Sequence, residues 1–172
     1  MDCYGHHALA CAATGSMIVR HNRVRDLVAS AGESVGSRFT IEWMTDDKSK
    51  ERPGDVLWDL LPGRVALIDV AVISVFTNTH RGVILRSGAG HAATEYEQVK
   101  RNHYRRLDQS QYALFPFVVE STGAFGRTAD KTVDLLEKHD SERNMRHTSR
   151  NARSPGLENF KKSVLILSLI HI

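Results

Sequence analysis

"GRVALIDVAVISV", residues 63–75, is the stretch whose reading decides the fold. Val65, Ala66, Leu67, Ile68, Val70, Ala71, Val72 and Ile73 form an apolar run of strand length, made for a core. Asp69 stands at its centre. A carboxylate costs several kcal/mol to bury unless it is ion-paired or bound to a cation. Asp69 therefore needs a partner, and the nature of that partner bears on what the strand is for.

Working outward, the flanking segments supply a sheet and its cover. "DVLWDL", 55–60, is a second strand, joined to the first by the turn Leu61-Pro62-Gly63-Arg64, so the two should pair as a hairpin. "RFTIEWMT", 38–45, alternates Phe39, Ile41 and Trp43 with polar residues, the period of a half-buried strand. "YALFPFVV", 112–119, is a fourth strand whose Pro116 places it at an edge or a bulge. Helical spacing runs from Ser16 to Ala31 (Met17, Val24, Val28 and Ala31 on one face, His21 among them), with Gly32 as the stop. It returns over 92–107 (Ala92, Tyr96, Val99, His103, Leu107) and over 124–139 (Ala129, Val133, Leu136). Residues 77–91 show no period and read as a loop. The stretch 141–156 is polar and basic and reads as disordered. The order helix, strands, helix, strand, helix gives an α/β sandwich around a mixed sheet of about four strands. The strand at 113–119 should lie parallel to the central one, with the helix at 92–107 as crossover.

Composition bounds the function classes. The chain has 172 residues, 41% hydrophobic and 25% charged, enough for one packed domain with tails. A net charge of +3 is compatible with a nucleic-acid partner without being evidence for one. Two cysteines, Cys3 and Cys11, make no disulfide framework, and a reducing intracellular compartment fits. No apolar run reaches transmembrane length, so no membrane partner is expected.

Asp55 opens the second strand, and the hairpin would bring it to the same spot as Asp69. Two carboxylates at close range repel unless a divalent cation lies between them. Mg²⁺ takes oxygen ligands from one or two carboxylates and keeps several waters. Such a cation activates a water and polarises a phosphate, and a nearby lysine steadies the developing charge. Lys100, on the following helix, is the candidate. If Val99 faces the core, Lys100 lies about 100° round the axis, at the margin of the buried face, where it contributes little stability. The plain structural reading is an ion-paired Asp69 without chemistry, with Glu97 and Lys100 an ordinary surface pair three residues apart.

Four segments in order resemble a known set: Arg20-His21-Asn22 on a helix, "RPGDVL" at 52–57, Asp69 after thirteen intervening residues, and "KRNHY" at 100–104. They are similar to the restriction-like endonuclease domain near the C-terminal end of certain non-LTR retrotransposon proteins, a branch of the PD-(D/E)XK nuclease fold. "PFVVESTGAFG", 116–126, also resembles a segment of reverse-transcriptase-like proteins. The likeness covers about residues 3–135. It implies a restriction-endonuclease-like sandwich in which Asp55 and Asp69 hold Mg²⁺. Lys100 would be the catalytic lysine, offered from the helix because Ala71 occupies the strand position where the fold's lysine usually stands. Arg20, His21, Lys100, His103 and Tyr104 would face DNA, or RNA. Two departures stand out. Gly54, not proline, precedes Asp55, which only loosens the backbone. His103 stands where a second lysine is common, so a fixed charge is missing there.

The ends add two expectations. His7 and Cys11, with Cys3 as a further ligand, resemble the His-Cys half of the zinc knuckle that precedes the nuclease domain in that family. Zinc takes four ligands, so residues 1–15 read as a remnant of a zinc-knuckle-like segment, or simply as an N-terminal end, with upstream polypeptide missing. The last residues, "LSLIHI", look like translated adapter sequence. The expected layout is thus 1–15 remnant, 16–140 nuclease-like domain and 141–172 basic tail. The expected function is a fragment of a retroelement protein that nicks DNA with Mg²⁺, nuclear in its parent. The alternatives are a non-catalytic nucleic-acid-binding remnant and a structural α/β module. No Tyr/Phe-x-Asp-Asp motif of a reverse transcriptase occurs.

Overall fold

Val24, Val28, Ala31 and Val35 are spaced by three and four residues and are all buried. The first three make the inner stripe of the first helix, α1 (Ser16–Ser34), and Val35 lies just past its end. The computed structural model describes residues 16–41, 54–61, 64–105, 112–146, 160 and 163. Met17, expected on that stripe, is 43% exposed. Gly32 does not stop the helix. It is buried inside it, where any Cβ would overlap the Phe39 ring. The stop is Gly36, at φ 77°, with Gly36 N–H on Glu33 O at 2.9 Å and Ser37 N–H on Gly32 O at 3.0 Å. That is the paired-bond cap a left-handed residue gives a helix end.

Three strands then build most of a sheet: β1 (Phe39–Ile41), β2 (Val56–Leu61) and β3 (Arg64–Ile73). β1 pairs antiparallel with β2 and β2 antiparallel with β3, in the register Phe39↔Trp58 and Val56↔Ile68. The chain returns through two helices, α2 (Asn78–Ser87) and α3 (His91–His103), to β4 (Tyr112–Glu120). β4 runs parallel to β3 from Val65↔Tyr112 to Ile73↔Glu120. The result is a four-stranded mixed sheet of order β1-β2-β3-β4, flanked by helices, as the sequence pattern predicts. Pro116 lies on an edge strand, where a missing ladder donor is harmless. The last helix, α4 (Arg127–Arg146), buries Ala129, Val133 and Leu136.

Strand alternation divides the core into two layers. Ala66, Ile68 and Val70 of β3 pack with Val56, Trp58, Phe117 and Val119 against α1 and α4. Ala71 and Ile73 pack with Val118 against Val83 of α2 and Ala92 and Ala93 of α3. Phe160 joins the first layer, its ring 6.2 Å from that of Phe117.

Three expectations change. Residues 77–91 are not a loop. Thr77 caps α2 by accepting the His80 N–H at 3.3 Å, and Gly88 closes it at φ 88°. Only Val83 is buried in that helix, so no apolar stripe betrays it. The helix α4 continues through residues 141–146, part of the stretch read as disordered, and Phe160 within the supposed tail is a core residue. In α3 the buried side chains are Ala92, Ala93 and Glu97, whereas Val99 is 56% exposed. Lys100 therefore follows Ala93 and Glu97 on the inner face rather than at its margin. Trp43, Leu107 and residues 147–159 lie outside the described residues.

Candidate functional site

β2 begins only at Val56, opposite Ile68, while β3 continues past that point alongside β4 as far as Ile73. Asp55 and Asp69 meet at this step. The register Val56↔Ile68, carried on by one residue, sets Asp55 opposite Asp69. Gly54 lets the chain come this close. A Cβ there would sit 3.2 Å from the Ile68 carbonyl oxygen and 3.4 Å from Leu67 Cβ. Glycine at 54 thus admits a tight approach and does not merely loosen the backbone. The Asp55 N–H then donates to Ile68 O at 2.9 Å.

The Asp55 carboxylate takes over where the ladder stops. Its Oδ2 accepts the Val70 N–H at 2.7 Å and lies 3.1 Å from His21 Nε2. His21 comes from the first turns of α1, and its Nδ1 lies 3.2 Å from Asn22 Oδ1. Burial pulls the Asp55 pKa up. The His21 hydrogen bond and charge, the Val70 N–H and the Lys100 charge outweigh it and hold the carboxyl below its usual range. Reciprocally, the Asp55 hydrogen bond raises His21 above its ordinary value, against the opposing effect of burial.

Asp69 is in the opposite condition. It is 4% exposed, and Lys100 Nζ lies 3.0 Å from its Oδ2. The ammonium compensates the buried charge on that oxygen as an ion pair, with Asp55 and Tyr104 as further side-chain neighbours. Burial raises the Asp69 pKa. Lys100 opposes the rise and the neighbouring Asp55 carboxylate adds to it. Tyr104, at the C-terminal end of α3, is half-buried over the same spot. Its hydroxyl is pushed up by burial first, then by the negative charges of Asp69 and Asp55.

Asp55, Asp69, Lys100, His21 and Tyr104 therefore come together from four elements: α1, the start of β2, β3 and α3. Two carboxylates converge here, one of them buried beside an ammonium, an arrangement that suits a hard divalent cation taking carboxylate oxygens and water. Among the described residues no group of three or more His, Cys, Asp or Glu side chains gathers as a metal-binding set. Mg²⁺ does not require three protein ligands.

The other predicted site residues are spread more widely. Arg20 is half-buried, and burial lowers its pKa. His103 is exposed, its ring edge-on to Tyr104 at 4.9 Å. The partial zinc set, Cys3, His7 and Cys11, lies outside the described residues.

Sequence reasoning missed Glu97. It is not a surface partner of Lys100. It is 3% exposed and bonded to the first turn of α4. Its place one turn after Ala93, on the inner face of α3, was the available signal. Glu120 was missed as well. Its Oε1 accepts the Gly90 and Ala93 N–H groups at 2.9 and 3.3 Å, capping α3. No helix among the described residues is long and apolar enough to cross a membrane. No family model and no curated protein matches the chain.

Proposed function

We propose that the domain hydrolyses phosphodiester bonds in DNA with Mg²⁺, as a nicking endonuclease of restriction-like architecture. Its parent would be a nuclear retroelement protein. The observation that carries this reading is the convergence of Asp55 and Asp69 at the start of β2, with Lys100 Nζ 3.0 Å from the buried Asp69 Oδ2. Asp55 and Asp69 would hold the cation, which when bound supplies Lewis acidity and a water of lowered pKa. The chain's own residues do the rest. His21 and the Val70 N–H fix the Asp55 carboxylate from two sides. Lys100 carries the positive charge that a phosphate oxygen meets as negative charge builds on it. A water oxygen bonds to phosphorus as it gives up a proton, the P–O3′ bond breaks and the 3′ oxygen takes a proton, leaving a 5′ phosphate and a free 3′ hydroxyl.

The test is nicking of supercoiled plasmid with and without Mg²⁺, beside Asp69→Ala. Cation-dependent nicking by the native chain and none by the variant is the expected result. Equal nicking by both, or none by either, defeats the reading.

A second reading draws on the same 3.0 Å contact. If Asp69 and Lys100 are only a buried ion pair, replacing both by apolar residues should leave stability unchanged or raise it by about 1–4 kcal/mol. Under that reading nothing in the chain requires a cation.

A further inference from the structure

Glu97 is a buried carboxylate with no part in the chemistry above. Its oxygens accept the Thr128 N–H at 2.8 and 2.9 Å, the Thr128 hydroxyl at 2.7 Å and the Ala129 N–H at 3.1 Å. These are first-turn donors of α4, which have no partner within their own helix. Gly126 makes room, since a Cβ there would overlap Glu97 Oε1. The same flank of α3 is stitched twice more. Thr94 Oγ1 accepts the Arg127 N–H at 3.1 Å, and Arg101 Nη2 donates to Thr128 Oγ1 at 2.9 Å. Residues 94, 97 and 101 stand one turn apart along one side of the helix. Together they fix the roll of α3 about its own axis, and Glu120 fixes its N-terminal end.

Lys100 lies between Glu97 and Arg101, and its reach to Asp69 depends on that roll. A roll of 10° would carry the tip of a long side chain by roughly 1–2 Å. A displacement of about 1 Å at a reacting group can cost on the order of a hundredfold in rate.

We infer that Glu97 is a positioning residue: by locking α3 onto the N-terminus of α4 it aims the Lys100 ammonium at Asp69. The inference rests on the nuclease reading for its consequence in catalysis, but the aim itself can be measured without activity. Glu97→Gln offers one acceptor oxygen where the carboxylate offers two, and turns an amide N–H₂ toward other donors. In protein labelled with ¹³C-lysine, the Lys100 side-chain resonance is assigned by its loss in Lys100→Arg. In folded Glu97→Gln that resonance should move toward the position of solvent-exposed lysines. On DNA, kcat should fall about tenfold to a hundredfold with KM unchanged, and Glu97→Gln should add nothing in a Lys100→Ala background. A lower melting temperature with an unmoved Lys100 resonance overturns the inference and leaves Glu97 a structural cap. If Glu97→Gln does not fold, Thr128→Ala removes the 2.7 Å hydroxyl contact to Glu97 together with the 2.9 Å contact from Arg101, and keeps the backbone bonds. It should give a smaller shift in the same direction that Thr128→Ser restores, and no shift there also overturns the inference. Native protein that leaves DNA intact defeats the nuclease reading alone, and the resonance still decides the role of Glu97.

Discussion

At the scale of single residues, Asp69 and Asp55 show how neighbours set opposite ionisation tendencies in two identical side chains. Asp55 has a hydrogen bond from His21 and another from the Val70 N–H, and its pKa falls. Asp69 has burial and the Asp55 carboxylate against it, with Lys100 as its counterweight, and its pKa rises. Lys100 thus carries more structural weight than a helix-margin lysine would. Removing one member of a buried pair costs on the order of 3–5 kcal/mol. Lys100→Ala should lose stability of that order in urea at neutral pH. The loss should shrink in acid, where Asp69 takes up a proton. A uniform loss below 1 kcal/mol at every pH would mean the ammonium is not compensating Asp69. His21 gives a second pH signature. Its folded pKa is raised above 6.5, so its contribution is fully present below 6.5 and is lost as pH rises through the folded value. Urea midpoints of His21→Asn should therefore fall less than those of the native chain as pH rises from 6.5 through the folded value. Parallel curves for the two proteins would show that the Asp55 contact does not stabilise the protonated ring.

At the scale of elements, β3, its hairpin with β2 and the parallel return to β4 could be read from the sequence, because each rests on a strong signal. These were an apolar run, a Pro-Gly turn and a helical crossover long enough to allow parallel pairing. The pairing of Asp55 with Asp69 follows from that hairpin and was legible with it. The helix α2 was not, since burying Val83 alone leaves no stripe, and its evidence is confined to Thr77 and Gly88 at its ends. The inner face of α3 was misread because its occupants are two alanines, a glutamate and a lysine, while its one large aliphatic, Val99, faces outward. Periodicity follows apolar residues, and a helix whose inner face serves charges escapes it. Gly32 and Gly36 carry a related lesson. Both could end α1, and only the geometry separates the glycine needed for packing from the one needed for φ 77°. Gly36→Ala forces a Cβ into the left-handed region, so it should lower the urea stability by about 1–2 kcal/mol. An unchanged midpoint would show that the α1 end relaxes freely.

At the scale of the whole molecule, the site joins the layers on the two faces of the sheet, which also meet where α3 is bonded to the start of α4. His21 belongs to the α1–α4 layer, Lys100 to the α2–α3 layer, and the two acids to the strands between them. A cation held by Asp55 and Asp69 would therefore be lost only when the sheet and its cover come apart, so its binding should stabilise the entire fold. A ligand present at a hundred times its Kd adds about 2.7 kcal/mol to the unfolding free energy. The resting site already contains one positive charge, the Lys100 ammonium 3.0 Å from Asp69 Oδ2, and a divalent cation must share that oxygen with it or displace it. Competition of this kind predicts an ordering. Mg²⁺ should raise the melting temperature of the native chain, and raise it more in Lys100→Met, where the acids have lost their resident counter-charge. It should leave Asp55→Asn and Asp69→Asn unmoved, because a neutral amide gives a hard cation a much weaker ligand than a carboxylate. Ca²⁺, which binds oxygen ligands but supports different chemistry, should reproduce the stabilisation whether or not DNA is cut. Melting curves of the four proteins against cation concentration settle the point. If Mg²⁺ leaves the native chain and Lys100→Met equally unmoved, Asp55 and Asp69 hold no metal, and the buried ion pair alone accounts for Asp69 in its strand.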